Sequence, residues 1–260
     1  MFMNVKRRLA GWLAVLFCAS LGISLANASL LGDLLNRPPW YAAPRQSAGI
    51  APDPAALADT AIIQVYVAPT YGWRGLVAQH PWIIFKRAGE TAFTRYDVIG
   101  WSSDRFVRKN YALPDGLWYG ATPTLIVDHR GEAAGEMIPR IEAAIGSYPY
   151  PDTYRAYPGP NSNTFLAHIG REVPELKLDL PANAIGKDYR PLSQPIGLSS
   201  SGSGLQFSLF GMLGASIGVQ EGVEFNLLGL NFGIDLNRPA LRLPFVGRLG
   251  MDDRTVSGAP

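Results

Sequence analysis

A short segment, residues 159–165 (GPNSNTF), contains the residue types of a nucleophile site. Its glycine and proline predict a turn, and its polar residues are those preferred at the start of a helix, which we expect over residues 164–171. A Ser162 hydroxyl at that position could attack a carbonyl carbon. Unpaired N–H groups of the helix terminus would stabilise the oxyanion, with Asn161 and Asn163 shaping the site. The segment therefore predicts acyl-transfer chemistry, but the same residues also predict a plain helix cap.

A general base has to come from the chain's three histidines. His80 precedes a proline, which favours extended geometry, and it opens an apolar strand. His129 lies in a polar segment before a helix, where we expect a solvated side chain. His168 follows Ser162 by six residues on the same helix, about 240° around its axis, and should point away from the serine. His80 is therefore the candidate base, although a structural histidine bonded to a nearby carbonyl fits the sequence equally well.

Strand pairing is expected to bring a carboxylate close to His80. Residues 88–90 have the length and composition of a hairpin loop, so paired residue numbers should sum to about 178. This sum places His80 opposite Val98 and makes Asp97 the closest carboxylate able to orient the imidazole. A strand bulge would exchange Asp97 with Tyr96.

The N-terminus has the pattern of an export signal. Three basic residues are followed by the apolar residues 9–25 and by a small-x-small site ending at Ala28. We expect residues 1–28 to be a signal peptide and the protein to be periplasmic. The alternative is an uncleaved anchor that associates the protein with the inner membrane, because the apolar stretch nears the length of a spanning helix.

Composition excludes several classes of function. Cys18 is the only cysteine, so cleavage after Ala28 leaves 232 residues (260 − 28) with no disulfide, thiolate metal site or thiol nucleophile. The formal charge of +2 becomes about −1 (2 − 3) without the three basic signal residues, which removes the electrostatic case for nucleic acid. No phosphate-binding loop or metal-ligand spacing is present, so we expect neither a cofactor nor a metal.

The segments after the signal predict an α+β fold, an antiparallel β-sheet core with packed helices and a C-terminal β-rich extension. Strands are expected at residues 62–67, 82–87 and 91–101, and helices at 131–146 and 164–171. In the extension, 205–209 and 223–227 are expected to be the two arms of one hairpin. The segments are a Pro-rich arm (29–60), the core (61–195), a flexible Ser/Gly linker (196–204), the β-rich extension (205–250) and a solvated tail (251–260).

The chain order of these features resembles that of circularly permuted papain-like proteins, the group of lecithin–retinol acyltransferase and cell-wall peptidases. In that group a histidine opens a core strand and Asn-Cys-x-x-Phe begins a later helix. The resemblance covers roughly residues 61–171 and implies Ser162 as nucleophile, His80 as base and Asp97 as the orienting group. Ser162 replaces the family's cysteine, and a hydroxyl needs stricter base geometry because it is less acidic. The chain also resembles an uncharacterised bacterial family with the same GPNSNTF segment.

Two functions follow from these features. The first is an exported hydrolase or acyl transferase that acts on an amide or ester in an envelope peptide or lipid. The second is a catalytically inactive envelope binding module on the same fold. Aromatic residues are numerous enough to line a groove for a glycan or peptide, although such residues usually form core. They are Trp73, Trp82, Trp101, Tyr111, Trp118 and Tyr119.

Overall fold

The computed structural model describes residues 38–101, 105–251 and 256–257, together with isolated positions before residue 23. Most of the expected signal peptide 1–28 and of the tail 251–260 lies outside these residues. Within the described ranges, no helix is both long and apolar enough to cross a bilayer. Across residues 38–101 and 105–251 the architecture is α+β, with two α-helices and two antiparallel sheets.

The first sheet forms the centre of the molecule. Its strands run in the order β5-β1-β2-β3-β4, and each pairs antiparallel with its neighbours. The three strands expected from sequence are present as β1, β2 and β3, although β3 is shorter than the expected 91–101. The bounds are β1 (Ile62–Pro69), β2 (Gln79–Lys86), β3 (Thr94–Val98), β4 (Val107–Lys109) and β5 (Thr124–Arg130).

Both helices pack on one face of this sheet. Helix α1 spans Glu132–Gly146 and accommodates Pro139 within it, and helix α2 spans Ser162–Glu172. Their apolar stripes join strand residues in one buried cluster, which includes Ile138, Ile141, Phe165, Ile169, Ile83 and Phe85. The predicted helices are therefore present, with the apolar periodicity facing the sheet.

The opposite face of the sheet is covered by loops instead of helices. Trp82 and Ile84 of β2 pack there against Trp118, and Ala43 of the Pro-rich arm joins the same cluster. The arm is held by the carboxylate of Asp115, which accepts hydrogen bonds from the Ser47 hydroxyl (2.7 Å) and from the backbone N–H groups of Ile50 (2.8 Å) and Ala51 (3.1 Å). The described part of the arm is thus part of the core domain.

The second sheet is a seven-stranded meander. A two-residue strand, β13 (Val256–Ser257), then returns to the first sheet and pairs parallel with β5. The expected hairpin of 205–209 and 223–227 is wrong, because a strand at Leu213–Gly218 lies between these two segments and pairs with both. The strands are β6 (Ile196–Leu198), β7 (Gly204–Leu209), β8 (Leu213–Gly218), β9 (Gly222–Leu227), β10 (Leu230–Asp235), β11 (Ala240–Leu243) and β12 (Gly247–Gly250).

The expected flexible linker contains three buried serines, Ser199, Ser200 and Ser201, and its residues 196–198 form strand β6. The Glu221 carboxylate accepts hydrogen bonds from the Ser201 N–H (2.8 Å) and from the hydroxyls of Ser200 (3.3 Å) and Ser203 (3.2 Å). Burial alone would raise the pKa of Glu221, but hydrogen bonds, chiefly those from Ser201, lower it below its usual value. The small polar residues therefore satisfy a buried carboxylate.

Candidate functional site

A capping box fixes the start of α2. The Asn161 side-chain oxygen accepts hydrogen bonds from the N–H groups of Asn163 (2.9 Å) and Thr164 (3.2 Å), and the Thr164 hydroxyl accepts one from the Asn161 N–H (3.1 Å). Asn161 is therefore the N-cap, and Ser162 is the first helical residue. These bonds occupy two of the N–H groups that sequence reasoning assigned to an oxyanion.

The two asparagines attach α2 to neighbouring chain segments. Each side-chain amide donates to the Ile185 carbonyl, at 2.9 Å from Asn161 and 2.8 Å from Asn163. The second N–H of each amide is also used, by the Ala156 carbonyl (3.2 Å) and the Gln79 carbonyl (3.0 Å) respectively. With both donors on main-chain oxygens, Asn161 and Asn163 hold the helix in position and have no N–H left for a substrate.

Ser162 is 4% exposed and lies at the helix start that was expected for a nucleophile. Its hydroxyl forms no hydrogen bond with any other residue in the described part of the chain. It is thus neither the helix cap nor bonded to a general base, and a serine needs that base for attack.

His80 faces away from α2. Side chains alternate along a strand, and on β2 Ile83 and Phe85 pack with the helices while Trp82 and Ile84 pack on the other face. His80 has the same parity as Trp82, and its ring stacks on that of Trp118 with centroids 3.7 Å apart. The structure therefore does not bring His80 and Ser162 together on one face.

Asp97 does lie beside His80. The distance from His80 Nε2 to Asp97 Oδ2 is 3.7 Å, and both side chains are buried. The same carboxylate oxygen accepts two hydrogen bonds from Arg95, from Nε (3.2 Å) and Nη2 (2.7 Å). Sequence reasoning missed Arg95, although residues two apart on a strand share a face and Arg95 could have been paired with Asp97 on that ground.

Burial and charge set the protonation of this cluster. Burial lowers the pKa of His80, with Asp97 opposing the effect only in part. Burial alone would raise the pKa of Asp97, but its contacts with His80 and the Arg95 guanidinium lower it below its usual value. At neutral pH the cluster is a neutral imidazole next to a carboxylate–guanidinium ion pair.

A cavity of about 520 Å³ lies on this same face. Its lining includes the rings of Tyr111, Trp118 and Tyr119 and two charged side chains, Arg45 and Arg95. The Arg45 guanidinium carbon lies 4.2 Å from the centre of the Tyr119 ring. Three of the aromatic residues singled out from sequence therefore line one cavity.

The backbone beside this cavity is strained. Tyr119 has a φ of +50°, which is uncommon for a bulky residue, and Gly120 follows with a φ of +87°. The two residues form the turn between Trp118 and Ala121, whose backbones pair as an isolated bridge. This turn fixes both aromatic rings in the cavity wall, and such strain is often found at binding sites.

The other two histidines have structural partners. His129 lies on β5, is buried, and its Nε2 is 3.0 Å from the Leu176 carbonyl oxygen, so the expected solvated loop position is wrong. His168 Nε2 is 3.0 Å from the Ala144 carbonyl oxygen, where it links the two helices. Across residues 38–101 and 105–251, no three His, Cys, Asp or Glu side chains cluster as metal ligands.

The fold and cavity define an α+β protein in which a buried His–Asp–Arg cluster supports an aromatic cavity. The chain belongs to the family described as "Protein of unknown function (DUF3750)", whose model matches residues 60–189, half of the chain. The matched region contains β1 to β5, both helices and every candidate site residue from His80 to Asn163. A search of curated proteins and a search of solved structures returned no match.

Proposed function

We propose that this protein is a non-catalytic binding module of the cell envelope. Its ligand is an envelope peptide that carries a free carboxylate, and the cavity beside Trp118 is the binding site. The observation that carries this proposal is the lining of the cavity, in which both charged side chains are arginines and four aromatic rings supply apolar surface.

The size and chemistry of the cavity suit such a ligand. A volume of about 520 Å³ lies within the range of small-molecule sites. Arg95 lines the cavity but is 1% exposed, and it uses three of its five N–H donors on Asp97 and the Leu113 carbonyl. Arg45 is exposed at the rim, where a guanidinium group can bind a carboxylate through two hydrogen bonds.

His80 supports the cavity wall in this proposal. Its ring is nearly parallel to that of Trp118, with 6° between the planes, and lies directly against it. The neutral imidazole packs as an aromatic surface, and Asp97 beside it pairs with Arg95. The residues that resemble a catalytic pair thus hold Trp118 and Arg95 in position for a ligand.

The hydrolase or acyl transferase implied by the papain-like resemblance is the weaker proposal. It requires a base within hydrogen-bond distance of the Ser162 hydroxyl, and strand alternation turns His80 to the other face. It also requires free donors for an oxyanion, whereas the amides of Asn161 and Asn163 are fully used. In both proposals, export to the periplasm rests on the export-signal pattern expected in residues 1–28.

Titration of the protein with a peptide that carries a single carboxylate tests whether the cavity is a binding site. The probe is N-acetyl-lysyl-D-alanyl-D-alanine, compared with its C-terminal amide, and binding is followed by calorimetry and by quenching of tryptophan fluorescence. We expect the acid to bind and the amide to bind at least about tenfold more weakly, since a charge-assisted hydrogen bond contributes roughly 1.5–3 kcal/mol.

Arg45→Gln should weaken binding of the acid to the level of the amide. The matched control is Arg155→Gln, which changes another exposed arginine that is not in the cavity lining. No binding of the acid, or an Arg45→Gln variant that binds it as tightly as the wild type, would overturn the proposal.

A further inference from the structure

The second sheet has its polar and apolar faces reversed. On β7, Gln206 and Ser208 are buried, while Leu205 and Phe207 are 61% and 42% exposed. A sheet with one solvated face normally buries its apolar residues and exposes its polar ones. Apart from Leu230 and Phe232 of β10, which are buried, the large apolar side chains on this face of the sheet are partly or largely exposed to solvent.

Specific partners hold the polar face inward. Asp188 accepts hydrogen bonds from the amides of Gln206 (2.5 Å), Asn226 (3.0 Å) and Asn231 (2.7 Å). A shift of one residue in register would expose these groups and bury leucines where the polar partners now bind. The exposed apolar face is therefore a fixed consequence of the fold.

Apolar side chains, all exposed except the half-buried Val223, form a continuous strip across the seven strands. Paired residues in neighbouring strands lie on the same face, so the register links one aliphatic residue from each strand into a row about 29 Å long. A second row beside it contains Phe207 and Phe225. We call the two rows the outer face. The first row is Leu198, Leu205, Ile217, Val223, Ile234, Leu241 and Leu249.

We propose that the outer face binds the outer face of a second copy of this chain. Monomeric proteins rarely expose apolar patches above roughly 300–600 Å². The outer face offers on the order of 1,000 Å², whereas each partner of a stable interface buries about 800 Å². Two sheets pack face to face through such rows, and a two-fold axis makes one face complementary to itself.

The residue types on the outer face favour a protein partner over lipid. Surfaces that rest on a bilayer combine apolar residues with Trp or Tyr at headgroup level and with Lys or Arg around them. The two rows contain only Leu, Ile, Val, Ala and Phe. A second copy of the chain needs no headgroup contacts, because its outer face covers the outer face of the first copy.

Photo-crosslinking in cells tests the dimer with the full chain. Phe225 lies on the central strand, is 60% exposed, and can be replaced by p-benzoylphenylalanine in one of two differently tagged copies. We expect irradiation to join the two tags in one product of twice the chain mass. The same replacement at Leu192, which is 54% exposed and lies outside the outer face, should give no such product.

A charged substitution on the outer face provides a second test of the dimer. Ile217→Glu in both copies should abolish the crosslink from position 225, and circular dichroism should show an unchanged fold because Ile217 is exposed. Equal crosslinking from positions 192 and 225, a product that persists with Ile217→Glu, or crosslinks to lipid or another protein alone would each overturn the second copy as the occupant.

Discussion

His80 and Ser162 lie on opposite faces of one sheet, although they are close along it. Asn163, next to Ser162, donates a hydrogen bond to the carbonyl of Gln79, next to His80, at 3.0 Å. The start of α2 therefore touches β2 at its first residues, while the imidazole points to the other side. This relationship separates the helix-terminal serine from the only histidine that sequence analysis offered as its base.

The first prediction concerns the helix cap. Asn161→Ala should lower the free energy of unfolding by at least 1–2 kcal/mol, because it removes the cap and two donors to main-chain carbonyls. Ser162→Ala should change it by less than about 0.5 kcal/mol, since the hydroxyl has no partner among the described residues. Urea denaturation of both variants gives the comparison. A larger loss for Ser162→Ala would show that the hydroxyl has a structural partner.

The second prediction concerns pH. Burial lowers the pKa of His80 in the folded protein, so the unfolded chain takes up a proton first as the pH falls below about 6.5. The contribution of the neutral His80 side chain to the free energy of unfolding is therefore complete above that pH. It is lost as the pH falls towards the lower pKa that His80 has in the folded protein. The free energy of unfolding, measured between about pH 7 and pH 5, should fall for the wild type.

His80→Phe keeps a ring against Trp118 and should reduce this pH dependence. Burial also lowers the pKa of His168, so His168→Phe is the matched control and should remove a separate part of the slope. A pH dependence of His80→Phe identical to that of the wild type would mean that His80 titrates normally in the folded protein.

The third prediction concerns reactivity. A fluorophosphonate probe should not label the wild-type protein, because no base among the described residues is bonded to the Ser162 hydroxyl and the N–H groups of Asn163 and Thr164 are already used by Asn161. Gel fluorescence after incubation of the purified protein measures the labelling, with Ser162→Ala as the control. Labelling of the wild type that is absent in Ser162→Ala would favour the hydrolase over the binding module.

Local signals in the sequence predicted the main elements of the core. Strand β1 follows from its run of β-branched residues, and α1 and α2 follow from apolar periodicity and from the polar residues around Asn161. The proximity of Asp97 to His80 was expected from the hairpin loop, but the expected register is wrong by one residue, because Ile83 pairs with Tyr96 and Ile84 with Arg95, so paired residue numbers sum to 179. These features depend on neighbours within a few residues or on one loop length.

The features that decide the site depend on distant parts of the chain. Alternation shows that His80 and Trp82 share a face, but only the packing of α2 shows that this face lies opposite Ser162. Trp118 lies in a segment without periodicity, so its stacking on His80 has no sequence signal. Ser201 was read as linker because its partner Glu221 is twenty residues away.

The pKa of a thiol at position 162 tests most directly whether His80 acts on that position. Ser162→Cys is made in a Cys18→Ser background, so that thiolate absorbance reports one group, and is compared with the same protein carrying His80→Phe. We predict that the two thiol pKa values agree within about 0.3, since the imidazole lies on the other face of the sheet. A clear rise towards about 8.5 on replacement of His80 would contradict the separation of the two residues and restore the catalytic pair.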